Sequence, residues 1–137
     1  MLKTLLGHTV QEVSVSQAAA MTAVLYLDAR ELPEYQVSHL AGARWVGYDA
    51  FDLKSVSDLP RDTQLVVYCS VGYRSEKVSE KLLQAGFTRV SNLYGGIFEW
   101  VNQQRPVVDM QGAPTVKLHA YSPSWGVWVE QGDKVYE

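Results

Sequence analysis

Cysteine occurs once in this sequence, as Cys69. One thiol excludes an internal disulfide and any multi-cysteine metal site, and leaves either an inert buried side chain or a reactive nucleophile. Long apolar runs are missing too: nothing approaches the ~18–20 residues of a membrane span, so no membrane partner is expected. Met1 to His8 carry one lysine and a few leucines, but Gln11 and Glu12 follow too soon for the apolar region of a signal peptide, and a cytoplasmic location is expected. Basic residues are scattered rather than clustered and the net charge is −3, which argues against nucleic acid as a partner. The phosphate-binding pattern G-x-G-x-x-G is absent, so Gly95-Gly96 reads as a tight turn that lets a helix pack closely. His8, His39 and His119 share no spacing that suggests a metal site or a base, and neither metal nor cofactor is expected.

What is present is ordinary globular material: 137 residues, 47% apolar and 20% charged, enough for one domain with a buried core. Val10–Ser14 alternates weakly and reads as a short strand, Val24–Leu27 is a short apolar run of strand length, and Arg44–Val46, Gln64–Tyr68 and Arg89–Leu93 read as further strands. Between them lie helix-compatible stretches. Ser14 or Ser16 caps a short helix through Met21; Glu31 to Ser38 forms another, with Pro33 tolerated in its first turn. Phe51, Leu53 and Val56 suggest a helix within Tyr48–Leu59. Ser75 to Ala85 has Val78, Leu82 and Ala85 on one face, with Gly86 placed for a left-handed C-cap and Phe87 packing back. A last helix runs from Gly95-Gly96 through Ile97, Phe98 and Trp100 until Pro106 closes it. Alternating strands and helices imply an α/β domain with a mainly parallel sheet, whose functional crevice lies at the carboxyl ends of the strands. Asp28 and Cys69 both fall at such ends. Beyond Val108 no period is evident, yet Tyr121, Trp125, Trp128 and Tyr136 are too many large aromatics for a solvated tail. Residues 1–108 are therefore read as the domain, and 109–137 as an extension that folds back over it.

The chemistry concentrates in Val66-Val67-Tyr68-Cys69-Ser70-Val71-Gly72-Tyr73-Arg74-Ser75. A strand, a tight loop and a helix N-terminus in succession aim backbone N–H groups at one spot with the helix dipole behind them. A thiol in such a cradle is expected to ionise more readily than a free one. Cys69 to Arg74 is C-x4-R, one residue shorter than the C-x5-R ring that phosphotyrosine-type phosphatases close around phosphate. A six-residue ring is tighter and suits a terminal sulfur atom.

In four stretches the sequence resembles the rhodanese family of sulfurtransferases: Leu27-Asp28-Ala29-Arg30 with Glu34-Tyr35; His39-Leu40-Ala41-Gly42-Ala43; Cys69-Ser70-Val71-Gly72-Tyr73-Arg74-Ser75; and Tyr94-Gly95-Gly96-Ile97-Phe98-Glu99-Trp100. The resemblance covers roughly Val13 to Val108. Ser38 departs from a usual glycine and Ala41 from a usual proline, both in a turn. The resemblance implies a three-layer α/β fold with a five-stranded, mainly parallel sheet and helices on both faces. It implies that Cys69 is the nucleophile, taking the outer sulfur of thiosulfate or a related donor as a persulfide and passing it to a thiol or protein-cysteine acceptor. Ser70, Val71, Gly72, Tyr73, Arg74 and Ser75 would form the substrate-binding loop, supported by Asp28 and Arg30.

Blander readings compete at each position. A free cysteine is more often a small buried hydrophobe, but C-x-x-G-x-R-S at a strand-to-helix junction speaks against that for Cys69. Arg74 either contacts the donor or folds back to hold the loop. Asp28 either orients the loop or caps its own turn. Arg30 and Glu34 are expected to form a framework ion pair, and His39 to be a satisfied turn residue. Two other functions remain open: a persulfide carrier that hands sulfur to a partner protein with little turnover, and a phosphatase or arsenate reductase using the same thiolate. The loop carries one basic residue, so thiosulfate is not necessarily the natural donor.

Overall fold

The computed structural model describes residues 9–119 and 133–135. Five strands, β1 (Glu12–Val13), β2 (Leu25–Asp28), β3 (Arg44–Trp45), β4 (Leu65–Tyr68) and β5 (Val90–Leu93), form one sheet in the order β1-β5-β4-β2-β3. Every neighbouring pair is parallel. β4 lies at the centre and is buried along its whole length, which is why Leu65-Val66-Val67-Tyr68 is a continuous apolar run rather than an alternating one.

Successive side chains of β4 point to opposite faces and so divide the core in two. Val66 and Tyr68 join Val13, Leu93, Ile97, Phe98 and Val101, on the face covered by helices α1 (Val15–Ala20) and α4 (Gly96–Asn102). Leu65 and Val67 join Leu27, Val78, Leu82 and Phe87, on the face covered by helix α3 (Tyr73–Gln84). Fully buried side chains such as Leu82 contribute about 1.5–3 kcal/mol each. Helix α2 (Leu32–Val37) lies between β2 and β3 in the chain. The expected three-layer α/β architecture is the observed one.

Local chemistry accounts for the element ends. Ser14 caps α1 in a reciprocal box, its Oγ accepting from Gln17 N–H while Gln17 Oε1 accepts from Ser14 N–H. α3 stops at Ala85; Gly86 takes a φ of +99° and Phe87 N–H donates to Leu82 C=O at 3.1 Å, a C-terminal motif of the expected kind. Three expected elements differ. β1 is two residues long. α3 starts at Tyr73, two residues before the expected Ser75, because Gly72 is its N-cap. The segment 48–59 contains only a single 3₁₀ turn, Leu53–Val56, because the Asp52 side chain accepts from Lys54 N–H and caps a fresh start there. Tyr48 and Phe51 pack against the core as irregular chain, and Leu53 points outward.

Beyond α4 the chain returns to the domain. Val108 exchanges both backbone hydrogen bonds with His39 at 2.9 Å, β6 (Val107–Val108) pairs antiparallel with β7 (Pro114–Thr115), and β8 (Lys117–His119) runs parallel to β9 (Asp133–Val135) and packs against α2. Leu118 is fully buried in the first core cluster. Tyr121, Trp125, Trp128 and Tyr136 lie outside the described residues.

Candidate active site

β4 carries Cys69 to the carboxyl edge of the sheet, and the parallel register places Asp28, the last residue of β2, beside Tyr68. Cys69 is 1% exposed. The turn after it requires Gly72, whose φ of +119° is open to glycine and strained for other residues. Gly72 N–H then donates to Cys69 Sγ at 3.1 Å.

The loop is shaped from its far side by α4. Ile97 N–H donates to Cys69 C=O at 2.9 Å and Phe98 N–H to Ser70 C=O at 3.1 Å. A trans peptide holds N–H opposite C=O, so turning these two carbonyls toward α4 directs the amides of Ser70 and Val71 away from it. This close approach explains Gly96: a Cβ there would stand 2.5 Å from both the Cys69 and the Ser70 carbonyl oxygens.

Arg74 folds back. Its Nη1 and Nη2 reach Glu34 Oε2 and Oε1 at 2.8 and 2.9 Å, and Nη2 also donates to Ser70 Oγ at 2.8 Å. A buried carboxylate on α2 thus ties the first turn of α3 to the loop. Burial alone would raise the Glu34 pKa, but the hydrogen bond and charge of Arg74, with Arg30 adding, hold it below its ordinary value. Burial likewise works against the charge on Arg74, and Glu34 with Cys69 more than offsets it. The expected Arg30–Glu34 ion pair is not formed. Arg30 instead pairs with Asp28 at 2.7 Å, with both side chains fully buried, because it leaves β2 only two residues after Asp28 and folds onto it.

Asp28 is therefore a framework residue. It accepts from Arg30 N–H, from the Arg30 guanidinium and from Tyr68 Oη at 2.7 Å, while Tyr68 Oη accepts from Leu40 N–H at 3.2 Å. Arg30 Nη2 also donates to the carbonyl of Ser38 at 2.6 Å. Burial first, then the Asp28 charge, push the Tyr68 hydroxyl well above its ordinary pKa. His39 is a satisfied turn residue: its Nδ1 is 3.0 Å from Tyr35 C=O and its ring stacks on Tyr35.

Sequence reasoning did not single out Asn92. This fully buried side chain on β5 donates through Nδ2 to Gly72 C=O at 2.9 Å, while its Oδ1 accepts from Ser75 Oγ at 2.5 Å. Ser75 Oγ in turn lies 3.5 Å from Cys69 Sγ. A polar residue inside a core strand was the available signal, since buried amides are retained only where they are satisfied.

The description of the rhodanese-like domain matches residues 12–103. The chain belongs to the rhodanese-like family. Among its relatives, a protein named sulfurtransferase from Allochromatium vinosum is 33% identical over 106 residues, covering 77% of this chain and 98% of the relative. The tRNA uridine(34) hydroxylase of Photorhabdus laumondii is 33% identical over 113 residues; that match covers 79% of this chain but only 31% of the relative. Among solved structures, a rhodanese-like domain from Anabaena sp. superposes with a TM-score of 0.65 at 22% identity, covering 72% of this chain and 79% of that one. At that identity the likeness speaks for the fold.

In this rhodanese-like domain a cavity of about 260 Å³ opens over Cys69, lined by Glu31, Tyr48, Asp49, Ser70, Val71, Tyr73 and Arg74 as well as the thiol. The expected loop residues Ser70, Val71, Tyr73 and Arg74 thus border one space with Cys69. Gly72 and Ser75 act on the thiol from below, and Asp28 and Arg30 sit behind the cavity as a buried brace. His119, brought to α2 by β8, titrates below its ordinary value because it is buried, with Glu34 opposing that shift and Arg30 and Arg74 adding to it. Among the described residues no group of three or more His, Cys, Asp and Glu side chains is arranged to hold a metal, and no helix is long and apolar enough to cross a membrane.

Proposed function

We propose that this protein is a sulfurtransferase in which Cys69 is both nucleophile and sulfur carrier. The observation that supports this most directly is the placement of Sγ at the foot of a cavity, accepting from Gly72 N–H at 3.1 Å in a loop whose carbonyls are turned away to α4. Cys69 thiolate attacks the outer sulfur of thiosulfate or a related donor; a new S–S bond forms as the donor's own S–S bond breaks, and its electron pair leaves with the remainder, sulfite for thiosulfate. The anionic persulfide is stabilised by the loop amides as an oxyanion hole stabilises developing charge. A thiol or protein-cysteine acceptor then takes the outer sulfur and restores Cys69, so two half-reactions and ping-pong kinetics are expected. Arg74 and Glu34 hold the loop in shape during both halves, and the reaction needs no cofactor.

Intact-protein mass spectrometry tests the reading directly. Exposure to a sulfane donor adds one sulfur, about 32 Da, to the protein, and Cys69→Ser abolishes the adduct because only a thiolate carries sulfane sulfur in this way. Absence of an adduct with thiosulfate and with low-molecular-weight persulfides alike would refute it.

A further inference from the structure

The cradle holds one sulfur atom, so the rest of the donor must sit in the cavity above it. Three charged side chains line that cavity besides the thiol: Glu31, Asp49 and Arg74. Arg74 is already matched by the bidentate contact of Glu34 at 2.8 and 2.9 Å. Among the described residues the wall therefore presents two further carboxylates, Glu31 and Asp49, and Arg74 is the one cationic side chain in the lining. Glu31 is a partly buried carboxylate in the cavity lining, where an ammonium group would find an opposite charge at reduced screening. Tyr48 and Tyr73 supply aromatic surface, on which an ammonium group is favourable. Lys77, over the Tyr73 ring at 5.7 Å, is 3.9 Å from Glu80 and is not part of the lining.

We infer that Glu31 and Asp49 determine donor specificity, selecting a persulfide borne on a small cationic thiol, with an ammonium group placed against Glu31, over anionic donors such as thiosulfate. The inference rests on the sulfurtransferase reading above. In the loading step Cys69 thiolate attacks the terminal sulfur of R–S–SH, the Cys69–S bond forms, the donor S–S bond breaks, and R–S⁻ departs with the electron pair; the proton stays on the transferred sulfur or is lost to water. With thiosulfate the departing group is sulfite, whose two negative charges would form beside two carboxylates. With an aminoethyl thiol the departing group carries a compensating ammonium.

The test is a charge series of persulfides generated in situ from cysteamine, 2-mercaptoethanol and 3-mercaptopropionate, with thiosulfate as a fourth donor. Loading of Cys69 is followed by intact mass, and each rate is divided by that donor's rate with N-acetylcysteine, which removes differences in leaving-group reactivity. Cysteamine persulfide is expected to load at least about tenfold faster than 3-mercaptopropionate persulfide after this correction, a ratio in keeping with unit charges interacting at a partly screened site. Glu31→Gln with Asp49→Asn should bring the ratio to within about threefold and raise thiosulfate loading about tenfold. Asp49→Asn alone, at an exposed position, should move both quantities in the same direction with the melting temperature unchanged. A corrected ratio near one in the unaltered protein, or a ratio that both variants leave intact, overturns the inference while sulfur transfer stands. No adduct from any of the four donors overturns the sulfurtransferase reading itself.

Discussion

Glu34→Gln removes the negative half of the contact that ties α2 to the loop and to α3. The side chain is fully buried and its two oxygens receive Arg74 at 2.8 and 2.9 Å, Glu31 N–H at 2.8 Å and Ser70 Oγ at 3.3 Å. Glutamine preserves the shape but turns one acceptor into an NH₂ donor, which faces an Arg74 N–H in either orientation and the Glu31 amide as well in one of them. Breaking a buried ion pair from one side costs about 3–5 kcal/mol. The Arg74 side chain retains 13% exposure and can partly rehydrate, so about 3 kcal/mol is the appropriate end of that range, or roughly 10 °C in melting temperature for a chain of this size. The pH dependence follows from the depressed Glu34 pKa. A carboxylate held below its ordinary 4.5 contributes stability that is complete above that value and is lost as pH falls through the folded value. Thermal melts followed by circular dichroism should therefore show the full gap between wild type and Glu34→Gln at pH 7 and a narrowing gap below about pH 4.5. In a double-mutant cycle with Arg74→Met, the double variant should be more stable than the sum of the two single losses, because neither charge is then stranded. Equal melting temperatures at pH 7, or a gap that persists unchanged into acid, would refute the reasoning.

Three further substitutions probe the frame of the loop. Gly96→Ala drives a methyl group against two backbone carbonyls at 2.5 Å; neither is a flexible side chain that can swing aside, so a loss of at least about 2–3 kcal/mol is expected in denaturant titrations, with slower sulfur loading of whatever remains folded. Asn92→Ala strips the Gly72 carbonyl and Ser75 hydroxyl of their partner; loading of Cys69 should slow several-fold and stability fall by about 1–3 kcal/mol, as read by mass spectrometry and melting respectively. Tyr68→Phe leaves Leu40 N–H without its acceptor and Asp28 short of one donor, which should cost about 1–3 kcal/mol in urea titrations while sulfur transfer, which does not involve Tyr68, continues.

Much of this is legible in the sequence alone, and for identifiable reasons. β4 was plain because a central parallel strand is buried on both faces and needs no alternation. α3 is plain because Val78, Leu82 and Ala85 share one face while Lys77, Glu80 and Lys81 lie off it, although Glu76, expected outside, is fully buried. The cradle could be inferred because strand, glycine-bearing loop and helix start are local features. The pairing of charges could not: Asp28, Arg30, Glu34 and Arg74 lie in three segments, and which carboxylate meets which guanidinium depends on the packing of α2 against α3. Arg30 and Glu34, four residues apart, were the obvious couple in a one-dimensional reading; burial put Arg30 on Asp28 and left Glu34 for a residue 40 positions away. The segment 48–59 misled for a different reason. Its apolar residues fit a helical spacing, yet Asp52 interrupts them with a capping interaction stronger than the local preference. Asn92 lies in a strand of mixed character, Val90-Ser91-Asn92-Leu93, whose sequence alone supplies no partner for it.

The bonds from Ile97 and Phe98 to the carbonyls of Cys69 and Ser70 also set an order of events. The Cys69 loop depends on residues nearly thirty positions later in the chain, so its frame is complete only with α4 docked against the sheet. In the folded protein the thiol is 1% exposed, at the foot of the cavity. Because the chain holds one cysteine, a pulse of a bulky alkylating reagent during refolding would label a single site, and the loss of labelling would mark when the loop closes around the thiol.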